Sequence, residues 1–366
     1  MRTVGVEEEL LLVDPGSGVP RAVSAAVLAR AGREEGRDGS EAAVFEKELH
    51  RQQLEFATHP QSDLGDLAAE IRRCRALAAR LARESGGEVA ALATSPLPVR
   101  PSISAHRRYA WMADAYGMAV HEQLVCGCHV HVSVDSDDEG VAVLDRIRPW
   151  LAVLTALSAN SPFWQGKDTG YASYRTQVWH RWPSAGPTEA FGSAARYHRR
   201  VADMIATGAL LDEGMVYFDA RLSRTYPTVE IRVADVCLHT GTAVLVAALA
   251  RALVETAARA WRSGGAAPDR SVSLLRLAAW RAARSGLSGE LLHPVTLRPA
   301  PAESVLRDLV EHVREPLADH GDADRVREAL GALLRHGDGA RVQRETLERT
   351  GSLRDVVAEC VRRTQA

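Results

Sequence analysis

The stretch VCGCHVHVSV, residues 125–134, alternates apolar and polar side chains. Successive side chains of a β-strand point to opposite faces. His129, His131 and Ser133 therefore share one face, while Cys126, Cys128, Val130, Val132 and Val134 take the other. Three further segments repeat this division. In Thr3–Val13, Glu7 and Glu9 oppose Val4, Val6, Leu10 and Leu12, with Glu8 the odd member on the apolar side. In Gln53–Thr58, Glu55 opposes Leu54 and Phe56; in Thr228–Val236, Glu230 and Arg232 oppose Val229, Ile231 and Val233. Each strand thus presents one face to a core and one face of carboxylate, imidazole or guanidinium groups.

Arg2–Val13, Gln53–Thr58, Val89–Thr94, Val125–Val134, Met215–Leu222 and Thr228–Val236 are the six predicted strands. An Asp219/Arg221 pair on the fifth adds a cation beside the acids. Ser62–Glu84 reads as a helix behind a Ser cap, with Leu64, Leu67, Ile71, Cys74 and Leu81 at helical spacing. Val141–Ala159 reads as another, continuing through Pro149. Beyond Leu238 the pattern predicts helices over Ala243–Trp261, Val272–Arg284, Ala302–Glu315, Ala323–Arg335, Arg341–Arg349 and Leu353–Arg363. The expected class is α+β: an antiparallel sheet with helices on one face, in a single domain spanning 1–366. Its sheet-containing region would run to about 238 and its helical region over about 239–366. The segment Arg33–Ser40 is expected to be a mobile loop.

Of 366 residues, 46% are hydrophobic and 25% charged, an ordinary globular balance, and the net charge of -2 points to no nucleic-acid partner. Three glutamates interrupt the N-terminal segment where a signal peptide needs an apolar core, and Arg251 halts the apolar run Ala243–Ala250. A cytoplasmic protein without a membrane partner is expected. The five cysteines are an odd number without metal-finger spacing, so reduced thiols are expected. Lys47 and Lys167 are the two lysines, against forty-three arginines. Phosphate chemistry must therefore rest on arginine or metal.

A half-solvated sheet also turns polar residues outward. Its usual exposed residues are Thr, Lys, Ser and Gln, however, whereas these strands offer Glu, His and Arg. Several carboxylates on one face repel unless a cation lies among them, and hard oxygen donors favour magnesium, with manganese the alternative. Replacing Glu7 or Glu9 with Gln should then leave the metal-free protein equally or more stable, whereas Glu8→Gln should spare the metal response. Cys126 and Cys128 lie beside the histidines, but their parity turns them to the core. His129, His131 and Asp135 resemble a cupin metal motif, which keeps a metal-dependent oxygenase as an alternative. The aromatic segment holding Trp164, Tyr171, Tyr174, Trp179 and Trp182, interleaved with Lys167, Asp168 and Arg175, is expected to form a lid or pocket wall.

GVEEEL (5–10), QLEFAT (53–58), CGCHVHVS (126–133), ALSANSPFWQGKDTGYASYR (156–175) and TVEIRVAD (228–235) together resemble the glutamate-cysteine ligase type 2 family, the carboxylate-amine ligases. The resemblance covers about Val4 to Asp235. It implies a fold similar to glutamine synthetase, with a curved antiparallel sheet whose open face holds ATP and magnesium. Glu7, Glu9, Glu55 and Glu230 would be metal ligands, with Glu48 a further candidate. His129 would be a metal ligand or phosphate contact, and His131 would lie beside the nucleotide phosphates. Arg232 resembles the arginine that holds the acid substrate or the transferring phosphoryl group; Arg175 and Arg221 look like further anion contacts. The implied activity is ATP- and magnesium-dependent joining of a small-molecule acid to an amine through an acyl phosphate, glutamate and cysteine being the family's named pair. A homo-oligomer is expected. Leu222 stands where relatives often have Pro, and Tyr226-Pro227 where Gly is more usual. A nucleotide-binding regulator without turnover is the alternative from another class.

Overall fold

The structure is a computed structural model that describes residues 1–38 and 45–366, the side chains of 34–38 lying outside that description. Seven strands form one antiparallel sheet: β1 (Val4–Val13), β2 (Phe45–Glu46), β3 (Gln53–Ala57), β4 (Glu88–Ala90), β5 (Gly127–Ser133), β6 (Ala220–Leu222) and β7 (Thr228–Asp235). Their order is β2-β3-β1-β5-β7-β6, with β4 pairing the C-terminal end of β1. Register decides what the sheet can do. Glu9 pairs Glu55, Glu7 pairs His129, and Glu230 pairs both His131 and Arg221. Direct cross-strand neighbours stand about 5 Å apart, so polar residues from five strands converge on one face.

The opposite face is dry. Val4, Val6, Leu10, Leu12, Leu54, Phe56, Val130, Val132, Val229 and Ile231 are all essentially inaccessible. Thr240–Arg262, long and apolar enough by composition to cross a membrane, is instead the mostly buried core helix packed against β1, β5 and β7. Glu8 belongs to this apolar side. It is fully buried and receives two bonds from Arg75, at 2.7 and 2.8 Å, while Arg75 also donates to the carbonyls of Cys237 and Leu238. Cys126 and Cys128 are buried, and all five cysteines are free.

Several boundaries differ from expectation. The helix Leu64–Glu84 is capped by Asp63, whose carboxylate accepts from the amides of Gly65 and Asp66, not by a serine. Pro149, lacking an amide hydrogen, divides the predicted Val141–Ala159 helix into Asp137–Ile147, a 3-10 turn at Arg148–Trp150, and Leu151–Ser158. Ala302–Glu315 likewise splits at Val313 into Ala302–His312 and Arg314–Asp319. Met215–Leu222 is β only from Ala220, with a 3-10 turn at Glu213–Met215. The Arg33–Ser40 segment, expected as a mobile loop, is helical through Asp38 as part of Ser24–Asp38; its last two positions lie outside the described residues. Helices Arg107–Tyr116 and Ala194–Ala206 were not expected from the pattern.

Candidate active site

The polar face floors a cleft of about 670 Å³. Among the described residues, two groups of possible metal ligands stand on it, within each of which one donor atom per residue lies within 4.8 Å of the others: Glu9, Glu48 and Glu55, and Glu7, His131 and Glu230. The first group arises because β1 and β3 place Glu9 opposite Glu55, while the turn before β3 brings in Glu48. Glu9 Oε2 accepts from the Gly127 amide at 2.7 Å. Burial, then the neighbouring Glu48 charge, pushes the Glu9 carboxyl up to about 7, against the pull of Arg175 and Arg232. Burial and the same acid neighbours push Glu55 well above the carboxylate range. Burial first, and neighbouring negative charge second, thus favour the protonated form of these two carboxyl groups.

The second group is electrostatically different. Burial alone would raise Glu7, but hydrogen bonds from His129 and His131 outweigh it and hold this carboxyl well below its ordinary range. His129 Nδ1 lies 3.3 Å from Glu7, and His131 Nε2 lies 3.1 Å from its other oxygen. Glu7→Gln would forfeit these contacts, so a stability gain is predicted for Glu9→Gln alone. Burial, then the Arg232 charge, depresses His129 to about 4, leaving a neutral imidazole whose buried Nε2 has no partner among the described residues. Burial would lower His131, but its bond to Glu7 outweighs this and raises it. Glu230 is also raised by burial, yet Arg232 and Arg221 hold it low; Arg221 Nε bonds it at 2.7 Å and Arg232 bonds its other oxygen.

Glu7, Glu9, Glu48, Glu55, His129, His131, Arg221, Glu230 and Arg232 all line the cleft. Arg175 does not. Its buried guanidinium packs over Gly127 on the same sheet face as His129, and with Arg232 it lines a small separate cavity. Asp219 also faces away, towards His180 at 4.0 Å. Of the five aromatics expected in a lid or wall, Trp179 and Trp182 line the cleft, whereas Trp164, Tyr171 and Tyr174 pack on one another elsewhere. Asp168 is tied to Arg344, so this part of the segment anchors a short hairpin to the helix Gly339–Thr350. The cleft walls add Arg108, Tyr109, Tyr197 and Tyr217, which sequence reasoning missed. Arg108 and Asp212 form an ion pair between two segments about a hundred residues apart, and no local spacing signals such a contact.

Residues 3–359 match the family model described as glutamate-cysteine ligase family 2. The chain belongs to that family. A relative in Streptomyces coelicolor, provisionally named glutamate--cysteine ligase 2, is 73% identical with both chains covered in full. A Paenarthrobacter aurescens relative, provisionally named glutamate--cysteine ligase 2-1, is 48% identical over all of this chain and 95% of its own. Among solved structures, the glutamate–cysteine ligase of Francisella tularensis in complex with AMP superposes with a TM-score of 0.65 at 13% identity, covering all of this chain and 89% of that one. A bifunctional glutathione synthetase from Pasteurella multocida gives 0.71 at 17% identity, covering all of this chain and 51% of that one. At those identities the likeness is one of fold. Family membership makes this glutamate-cysteine ligase-like chain an enzyme of the carboxylate-amine ligase kind, forming a C–N bond.

Proposed function

We propose that the cleft joins a small-molecule acid to a small-molecule amine at the expense of ATP, with magnesium or manganese bound to the floor. The observation that carries this reading is the pair of ligand groups on one sheet face, with Arg232 and Arg221 beside the second. The donor set fits hard divalent cations: Glu9 and Glu55 are raised by burial and neighbouring charge in a way that a cation would relieve. Glu9, Glu48 and Glu55 would hold one ion; Glu7, His131 and Glu230 would hold another, with His129 behind them. Bound there, the ions supply charge neutralisation for phosphate oxygens.

The protein's own groups then do the positioning. Arg232 carries a planar fork suited to two oxygens of a phosphoryl group or carboxylate, and Glu230 fixes one edge of it. Arg221 donates to both oxygens of Glu230. Neutral His129 and Glu7-bound His131 flank the place proposed for the nucleotide phosphates. The acid's oxygen attacks the γ-phosphorus, ADP leaves, and an acyl phosphate forms. The unprotonated amine then attacks the acyl carbon, and phosphate leaves. Arg175, beside Gly127 and outside the cleft lining, would act on charge at Glu9 and not by touching substrate.

The test incubates the protein with magnesium, ATP, L-glutamate and L-cysteine, and in parallel with pooled acids and amines. ADP, phosphate and a condensed mass are measured. ADP formation that requires both an acid and an amine is expected. Nucleotide binding without ADP or condensed product in any arm would favour the regulator reading and refute this one.

A further inference from the structure

We propose that Trp179 is a positioning residue, a shared aromatic shelf that sets Arg232 and Arg175 beside the floor acids. The inference rests on the proposed role of Arg232 in the ligation. The two guanidinium carbons lie 5.5 and 5.4 Å from the centre of the Trp179 ring. Both side chains are deeply buried, with 7% of Arg232 and 2% of Arg175 exposed. Two buried cations side by side repel, and their hydrogen bonding is incomplete. Among the described residues the Nε of each has no partner, and the Nη atoms of Arg175 reach the Arg232 carbonyl only at 3.4 and 3.5 Å. The negative face of an indole ring attracts a guanidinium and costs it no proton or counter-ion. Trp179 supplies that face to both.

The ring is itself fixed. Trp179 meets Tyr217 edge-on at 5.1 Å, Tyr217 packs on Trp182 at 5.4 Å, and Trp182 meets Tyr116 at 5.2 Å. Tyr217 also lies under Arg232, at 5.9 Å. Trp179 ends the short helix Tyr174–Trp179, whose first turn carries Arg175 and is anchored by the Ser161 hydroxyl accepting from the Arg175 amide at 3.0 Å. One turn of helix therefore delivers both Arg175 and the ring it shares with Arg232. Trp179 lines both the cleft and the small cavity behind it, so it is the partition between them. Phe keeps the aromatic face at this position, whereas Leu removes it.

The experiment compares Trp179→Phe and Trp179→Leu. Protein labelled with ¹⁵N-arginine is examined for Nε–Hε cross-peaks, those of the two arginines being assigned by Arg175→Lys and Arg232→Lys. Melting curves establish that each variant is folded. Ring-current-shifted peaks for both arginines are expected in the wild type and in Trp179→Phe, and their displacement in Trp179→Leu. ADP release with magnesium, ATP, L-glutamate and L-cysteine should show kcat falling about tenfold in Trp179→Leu with little change in KM for ATP, and recovery in Trp179→Phe. Unmoved arginine peaks in folded Trp179→Leu would overturn the shelf, as would wild-type kcat in that variant while Arg232→Lys is inactive. Full turnover in Arg232→Lys would instead overturn the role assigned to Arg232, on which the shelf depends.

Discussion

Glu9→Gln removes one charge from the Glu9, Glu48 and Glu55 group while keeping the side-chain volume and an oxygen to accept from Gly127. Burial and Glu48 raise the Glu9 carboxyl from its ordinary 4.5 to about 7 in the folded protein. For an acid the sign is then fixed. The folded state binds this proton more tightly than the unfolded chain, so the group costs nothing below the unfolded value. It costs progressively more as pH rises through the folded one. A shift of this size corresponds to about 3 kcal/mol at 1.36 kcal/mol per pH unit. With roughly 2.1 cal/mol/K of unfolding entropy per residue, a 366-residue chain converts this into about 4 °C of melting temperature. In EDTA at pH 8, Glu9→Gln should therefore melt about 4 °C above wild type, and the two should converge as pH falls towards 4.5. Added magnesium should raise the wild type more than the variant, which keeps only the Glu7, His131 and Glu230 group whole. The assay is differential scanning fluorimetry across pH with and without magnesium. A variant that melts at or below wild type at pH 8 in EDTA would refute the claim that this carboxyl is held under electrostatic strain.

Glu8→Gln should behave oppositely: breaking the buried pair with Arg75 leaves an uncompensated cation and should cost about 3–5 kcal/mol by chemical denaturation, with the magnesium response retained. Gly127→Ala places a methyl carbon 2.3 Å from Arg175 Nη2 and 3.2 Å from His129 Nε2; it should destabilise by about 1–3 kcal/mol in urea unfolding and blunt the magnesium response, because the amide that orients Glu9 must shift. Saturating magnesium and ATP together should stabilise the wild type by about 2.7 kcal/mol at a hundredfold excess over Kd, and an unchanged melting temperature would count against both ligand groups. Glu7→Gln should lower stability in the metal-free protein near neutral pH, because the folded carboxyl is held below its ordinary range by two histidines. That loss should fade as wild-type Glu7 protonates in acid, which a pH series of melting curves will show.

The face of each central strand was legible because side-chain direction in a strand follows a period of two, a local rule that distant contacts do not alter. It placed Glu7, Glu9, Glu55, His129, His131, Glu230 and Arg232 on the cleft side, and Glu8, Cys126 and Cys128 in the core. The five motifs carried the resemblance to the ligase family as well. Tertiary structure alone decided which acids meet: Glu9 joins Glu55 and Glu48, while Glu7 joins His131 and Glu230, because strand order and register are set by pairings between residues far apart in sequence. It also decided that Glu7 is relieved and Glu9 strained, since a carboxyl group's charge state depends on burial and on neighbours the chain brings in from elsewhere. Arg175 shows the limit most clearly. Its motif marked it as an anion contact, and the turn of helix that carries it sets its guanidinium over Gly127 and against Trp179, where its charge reaches Glu9 outside the lining of the main cleft.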